Sequence, residues 1–174
     1  MKTLVIFDFD DTLFRSGAMI GVQRPGGPKR YLSSHDYEQF HVYPPDPIPI
    51  TKSTKKLRTS VGNQGIRNVV ILTARSNPDP VREVLQNFGM PSVEILAIGS
   101  ADPERKADEV ERLVNERGYE RVVVYEDSGP NIAAIKARVK PKLEGNFTAF
   151  KVKATPRGDV LQKETKGYRY GHIR

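Results

Sequence analysis

Four stretches of this 174-residue chain place carboxylates, hydroxyls and cations at the ends of apolar runs. Asp8, Asp10, Asp11 and Thr12 follow KTLVIF, and Thr73, Ala74 and Arg75 close NVVILTAR. Asp102 and Lys106 follow VEILAIG, and Glu126, Asp127 and Ser128 follow RVVVY. Alternate residues leaving a strand point the same way, so Asp8 and Asp10 can flank one phosphorus atom. One would attack as a carboxylate nucleophile to give an aspartyl-phosphate; the other would protonate the leaving oxygen and then activate water. Acids crowded at one sheet edge repel one another and call for a bound cation, and all-oxygen ligation points to magnesium (Mg2+). Lys106 would join the metal in neutralising the phosphoryl oxygens.

Such an edge needs a sheet. The runs at 2–7, 68–73, 93–99, 121–126 and 147–152 are short, apolar and largely β-branched, as expected of strands buried on both faces. Helical patterns occupy roughly 51–62, 79–89, 103–118 and 129–139, with polar or proline starts and glycine stops at Gly89 and Gly118. Alternating strands and helices predict an α/β fold, a Rossmann-like three-layer sandwich with a mostly parallel central sheet. In such sheets ligands bind beyond the carboxyl ends of the strands, where all four stretches fall.

Residues 15–50 break the pattern. They carry RPGGPKRY and YPPDPIPI with no helical period, and predict a small irregular insertion that acts as a flap after the first strand. The phosphatase-like unit is expected over 1–153, followed by a basic tail over 154–174. The formal charge of +7 is uneven: residues 15–60 hold eight Lys/Arg against three Asp/Glu, and residues 151–174 hold seven against two. That distribution fits either a solubilising surface or an anionic partner such as nucleic acid. With no cysteine, disulfides, thiolate metal sites and cysteine nucleophiles are excluded, and a reducing, cytoplasmic setting is expected. The N-terminal apolar run is too short for a signal peptide or a membrane span, so no membrane partner is expected.

FDFDDTLF resembles the first signature, DxDxT, of the haloacid dehalogenase superfamily. ILTAR resembles the second, Lys106 the third, and VVVYEDSGPNI the fourth. The resemblance spans about residues 1–152 and implies magnesium, an aspartyl-phosphate on Asp8, an acid and base at Asp10, and Thr73 on the phosphoryl group. It implies metal ligation by Asp8, Asp10 and Asp127. The usual fourth signature, GDxxxD, stands here as Glu126, Asp127 and Asn131, so Glu126 would supply the charge that asparagine lacks. The adjacent acids, Thr73-Ala74-Arg75 and the Asp102-xxx-Lys106 spacing look similar to polynucleotide 3′-phosphatase domains. Asp102 at a helix start would orient Lys106 through a charge-assisted hydrogen bond.

Thr12, Arg75, Arg15 and Asp102 are the expected substrate-side residues, the guanidinium groups being suited to phosphate. Tyr31, Tyr37, Phe40 and Tyr43 would stack bases or pin the flap, and His35 and His41 would serve as flap hydrogen-bond formers or catalytic groups. The favoured expectation is removal of 3′-phosphates from nucleic-acid ends, with a 5′(3′)-nucleotidase as the alternative. No glycine-rich P-loop signature occurs, so a kinase or ligase would be a separate partner. A non-catalytic nucleic-acid or phosphate binding module is the reading from another class.

Overall fold

A computed structural model describes residues 1–16, 20–23, 29–32 and 46–164. The chain runs β1 (Thr3–Phe7), β2 (Phe14–Arg15), β3 (Ile20–Gln23), β4 (Lys29–Leu32), β5 (Ile48–Pro49) and α1 (Thr51–Gln64). It continues through β6 (Val69–Thr73), α2 (Asp79–Asn87), β7 (Glu94–Ala97), α3 (Pro103–Arg117), β8 (Arg121–Glu126) and α4 (Gly129–Val139). The hairpin β9 (Phe147–Thr155) and β10 (Gly158–Lys163) completes it. Six strands form the central sheet in the order β10-β9-β8-β1-β6-β7, parallel except for β10. The expected three-layer α/β sandwich is the fold observed.

Strand alternation divides the core between the sheet faces. Leu4, Ile6, Val70, Leu72, Val122 and Val124 meet Val110 and Leu113 of α3 and Ile132 and Ile135 of α4. On the other face Val5, Phe7, Val69 and Ile71 meet Leu57 of α1 and Val81, Val84 and Leu85 of α2. β1 is buried along its whole length, so its carboxyl end is fixed from both sides. Across this second face, Phe7, Tyr125 and Phe150 stack on neighbouring strands at centroid spacings of 4.5 and 4.9 Å. Each such pair contributes about 0.5–1.5 kcal/mol beyond its buried area.

Two boundaries differ from the sequence reading. The folded unit does not end at Lys153: β9 continues to Thr155, and β10 turns back to pair from Gly158 with Thr155 through Lys163 with Phe150. β10 is polar because it is an edge strand, and that composition reads as a tail. The insertion over 15–50 is also not wholly irregular. β3 and β4 pair antiparallel within it, and its two ends are stapled where Phe14–Arg15 pairs with Ile48–Pro49. His35, Tyr37, Phe40, His41 and Tyr43 lie outside the described residues, as do residues 165–174. Among the described residues no helix is long and apolar enough to cross a membrane.

Candidate functional site

The carboxyl end of β1 continues its pairing one residue further, through the Asp8 amide to the Tyr125 carbonyl at 3.0 Å. This hydrogen bond seats Asp8 beside the end of β8, where Glu126 and Asp127 leave the sheet. The chain then reverses tightly. The Thr12, Leu13 and Phe14 amides all approach the Phe9 carbonyl, and Asp11 takes a left-handed φ of 60°. Asp tolerates that conformation better than most residues because its short side chain bonds locally. The reversal aims Thr12 back at Asp8.

Thr12 Oγ1 lies 3.0 Å from Asp8 Oδ2 and 3.2 Å from Asp127 Oδ1, and it accepts the Asp127 amide at 3.0 Å. Its single proton serves one carboxylate at a time, so the hydroxyl holds the two acids together. Thr12 is therefore a latch between the β1 and β8 loops, fully buried, rather than an exposed contact for substrate. Lys106, one turn into α3 and buried, donates at 2.9 Å to both Asp8 Oδ1 and Glu126 Oε2. The Ser128 amide reaches the other Glu126 oxygen at 3.3 Å. Ser128 also caps α4 through the Asn131 amide.

Electrostatics separate the two carboxylates on Lys106. Burial opposes ionisation of Asp8, but the Lys106 charge and hydrogen bonds from its neighbours outweigh it, holding Asp8 below the ordinary carboxylate range. Burial and the Asp8 charge push Glu126 well above that range, beyond what Lys106 offsets. Burial would lower Lys106, yet its two carboxylates hold it above the usual ammonium value. One ligand atom each from Asp8, Glu126 and Asp127 lies within 4.8 Å of the others, a spacing that fits a hard cation held by oxygens. A cavity of about 250 Å3 opens on Asp8, Lys106 and Glu126 and is walled by Ala74, Ala101, Pro103, Pro130 and Asn131.

The remaining expected site residues have other partners. Asp10 is not in the acidic trio: both its oxygens are taken by Arg75, Nε to Oδ2 and Nη2 to Oδ1, each at 2.8 Å. Arg75 is 1% exposed and lies over the Phe9 ring, so its guanidinium organises the site from within instead of facing solvent. Thr73 is buried at the end of β6 and its hydroxyl accepts the Arg75 amide at 3.2 Å. Asp102 does not touch Lys106. It is the N-cap of α3, with extended backbone, and accepts the Glu104 amide at 3.0 Å. Arg15 pairs with Asp159 of β10 and so ties the start of the insertion to the edge strand.

Asp159 is the polar residue that sequence reasoning missed, because its strand was read as tail. Asp8, Lys106, Glu126 and Asp127 are brought together as expected, with Asp10 two residues from Asp8 but turned to Arg75. No family model, curated protein or solved structure matches the chain.

Proposed function

We propose that the protein is a magnesium-dependent phosphomonoesterase of the haloacid dehalogenase type, acting on 3′-phosphorylated nucleic-acid ends. The observation that carries this reading is a buried Asp8 hydrogen-bonded by Lys106 beside Glu126 and Asp127, facing a cavity at the carboxyl edge of the sheet. Asp8, Glu126 and Asp127 would hold magnesium, which when bound withdraws negative charge from the phosphoryl oxygens. In the first transfer an Asp8 oxygen bonds to phosphorus, the ester P–O bond breaks, and the leaving oxygen takes a proton from Asp10. In the second, Asp10 takes a proton from water, the water oxygen bonds to phosphorus, and the Asp8–phosphorus bond breaks. Phosphate leaves and Asp8 is restored.

Lys106 keeps Asp8 charged before attack and faces the same phosphoryl group afterwards, with no movement required of a buried side chain. Both Asp10 oxygens accept from Arg75, so Asp10 must release at least one of those bonds and take up a proton from solvent before it can protonate the leaving oxygen. The nucleic-acid preference rests on the basic excess over residues 15–60 and 151–174. The test is magnesium-dependent phosphate release from matched substrates: an oligonucleotide with a 3′-phosphate, its 5′-phosphate counterpart, and 3′- and 5′-mononucleotides. Preference for the 3′-phosphorylated oligomer is expected. Preference for mononucleotides would make the protein a nucleotidase, and no release from any substrate would refute the phosphatase reading.

A further inference from the structure

α1 is unlike the other helices in its charge. Its sequence TKSTKKLRTSVGNQ holds Lys52, Lys55, Lys56 and Arg58 and no acid. α2 and α3 carry acids among their cations, and Lys136 and Arg138 of α4 pair with Glu164 and with Glu104 and Asp108. Among the described residues none of the four α1 cations has a carboxylate partner, and all four are exposed. Ser53, Thr54 and Leu57 form the buried face.

This charge works against the helix itself. Three lysines lie in the first six residues, at the end where the macrodipole is positive, with neither a first-turn acid nor a side-chain cap. Lys52 with Lys55 and Lys56, and Lys55 with Arg58, stand three or four residues apart, where like charges repel. A local arrangement that costs stability without a compensating contact marks a functional surface.

Its place gives that surface a use. The Ile50 amide, just before α1, bonds the Leu13 carbonyl at 2.9 Å, one residue beyond the Thr12 that latches Asp8 to Asp127. α1 therefore starts at the edge of the sheet where Asp8 lies. We infer that the exposed face of α1, through Lys52, Lys55, Lys56 and Arg58, binds the phosphate backbone of a nucleic-acid strand whose end enters the site. The role of that strand as substrate rests on the phosphatase reading; the binding does not. A membrane surface suits the face less well, since the apolar side chains of α1 are turned to the core and leave nothing to insert.

The experiment measures binding of a labelled single-stranded oligonucleotide ending in a 3′-hydroxyl, without magnesium, across a salt series. The protein is compared with a variant carrying Lys52→Gln, Lys55→Gln, Lys56→Gln and Arg58→Gln. The expected result is at least a ~10-fold loss of affinity at low salt and a salt slope shallower by roughly 2–3, with thermal stability not lowered. Turnover of p-nitrophenyl phosphate should be unchanged, and a variant with the three lysines replaced by arginine should bind normally. Unchanged oligonucleotide affinity and slope, or lost binding to anionic phosphatidylserine vesicles with oligonucleotide binding intact, would overturn the inference. Failure of the unmodified protein to hydrolyse any phosphate ester would defeat the phosphatase reading while leaving the binding result to be judged by itself.

Discussion

The guanidinium of Arg75 closes on both oxygens of Asp10 at 2.8 Å, and both side chains are only 2% exposed. A buried pair of this kind is close to neutral as a whole, but removing one partner strands the other charge. Arg75→Ala is expected to lower unfolding free energy by about 3–5 kcal/mol. The fall would be read as a lower urea midpoint at constant slope. An unchanged midpoint would show that Asp10 finds another partner and that the pair does not hold the loop.

Lys106 stands between Asp8 and Glu126, so its loss would leave two buried carboxylates facing each other. Lys106→Met should cost about 3–5 kcal/mol and abolish phosphate release. Adding Glu126→Gln removes one of the opposed acids and should recover about 1–2 kcal/mol, within the range of coupling seen for residues in contact. The check is a double-mutant cycle by denaturation. Strict additivity would contradict the shared ion pair.

The β10 strand covers the edge of β9, and its Leu161 packs against the core cluster that includes Leu57 of α1. Truncation after Lys153 should therefore lower the melting temperature by roughly 5 °C or more. Truncation after Glu164 keeps the hairpin and should leave it unchanged. Equal melting temperatures for all three chains would mean that the hairpin is not part of the cooperative unit.

Glu94 accepts both guanidinium bonds of Arg117 at the opposite end of the sheet, at 2.7 and 3.0 Å. Its hydrogen bonds to Arg117 hold it below its ordinary carboxylate value of 4.5 despite partial burial. A depressed folded value contributes stability that is full above the unfolded value and is lost as pH falls through the folded one. Both groups are about a third or more exposed, so the contribution is about 0.2–1 kcal/mol. Glu94→Gln should lose that amount at pH 7 and converge with the unmodified protein in acid. Curves that stay parallel down to pH 3 would contradict it.

The strands and the convergence of Asp8, Lys106, Glu126 and Asp127 were legible in the sequence because burial on both faces leaves an apolar signature and polar residues mark where each strand ends. Partners were not. The Asp102 to Lys106 spacing implies a contact only if both residues are inside the helix. Asp102 is the cap, with extended backbone, so its side chain turns to the Glu104 amide. Arg75 follows a strand as a phosphate-binding arginine would, but Asp10 comes from another strand, and no local pattern reveals that pairing. Arg15 and Asp159 are 144 residues apart, and their pairing depends on a strand whose polarity hid it.

The most direct test of the account is to trap the covalent intermediate. Protein quenched in acid during magnesium-dependent turnover of a 3′-phosphorylated oligonucleotide is digested, and the peptide holding Asp8 is analysed by mass spectrometry. The account predicts one phosphoryl group on Asp8, dependent on magnesium, absent from Asp8→Asn and accompanied there by loss of phosphate release. Phosphate release by Asp8→Asn at the unmodified rate, with no label on the peptide, would contradict it.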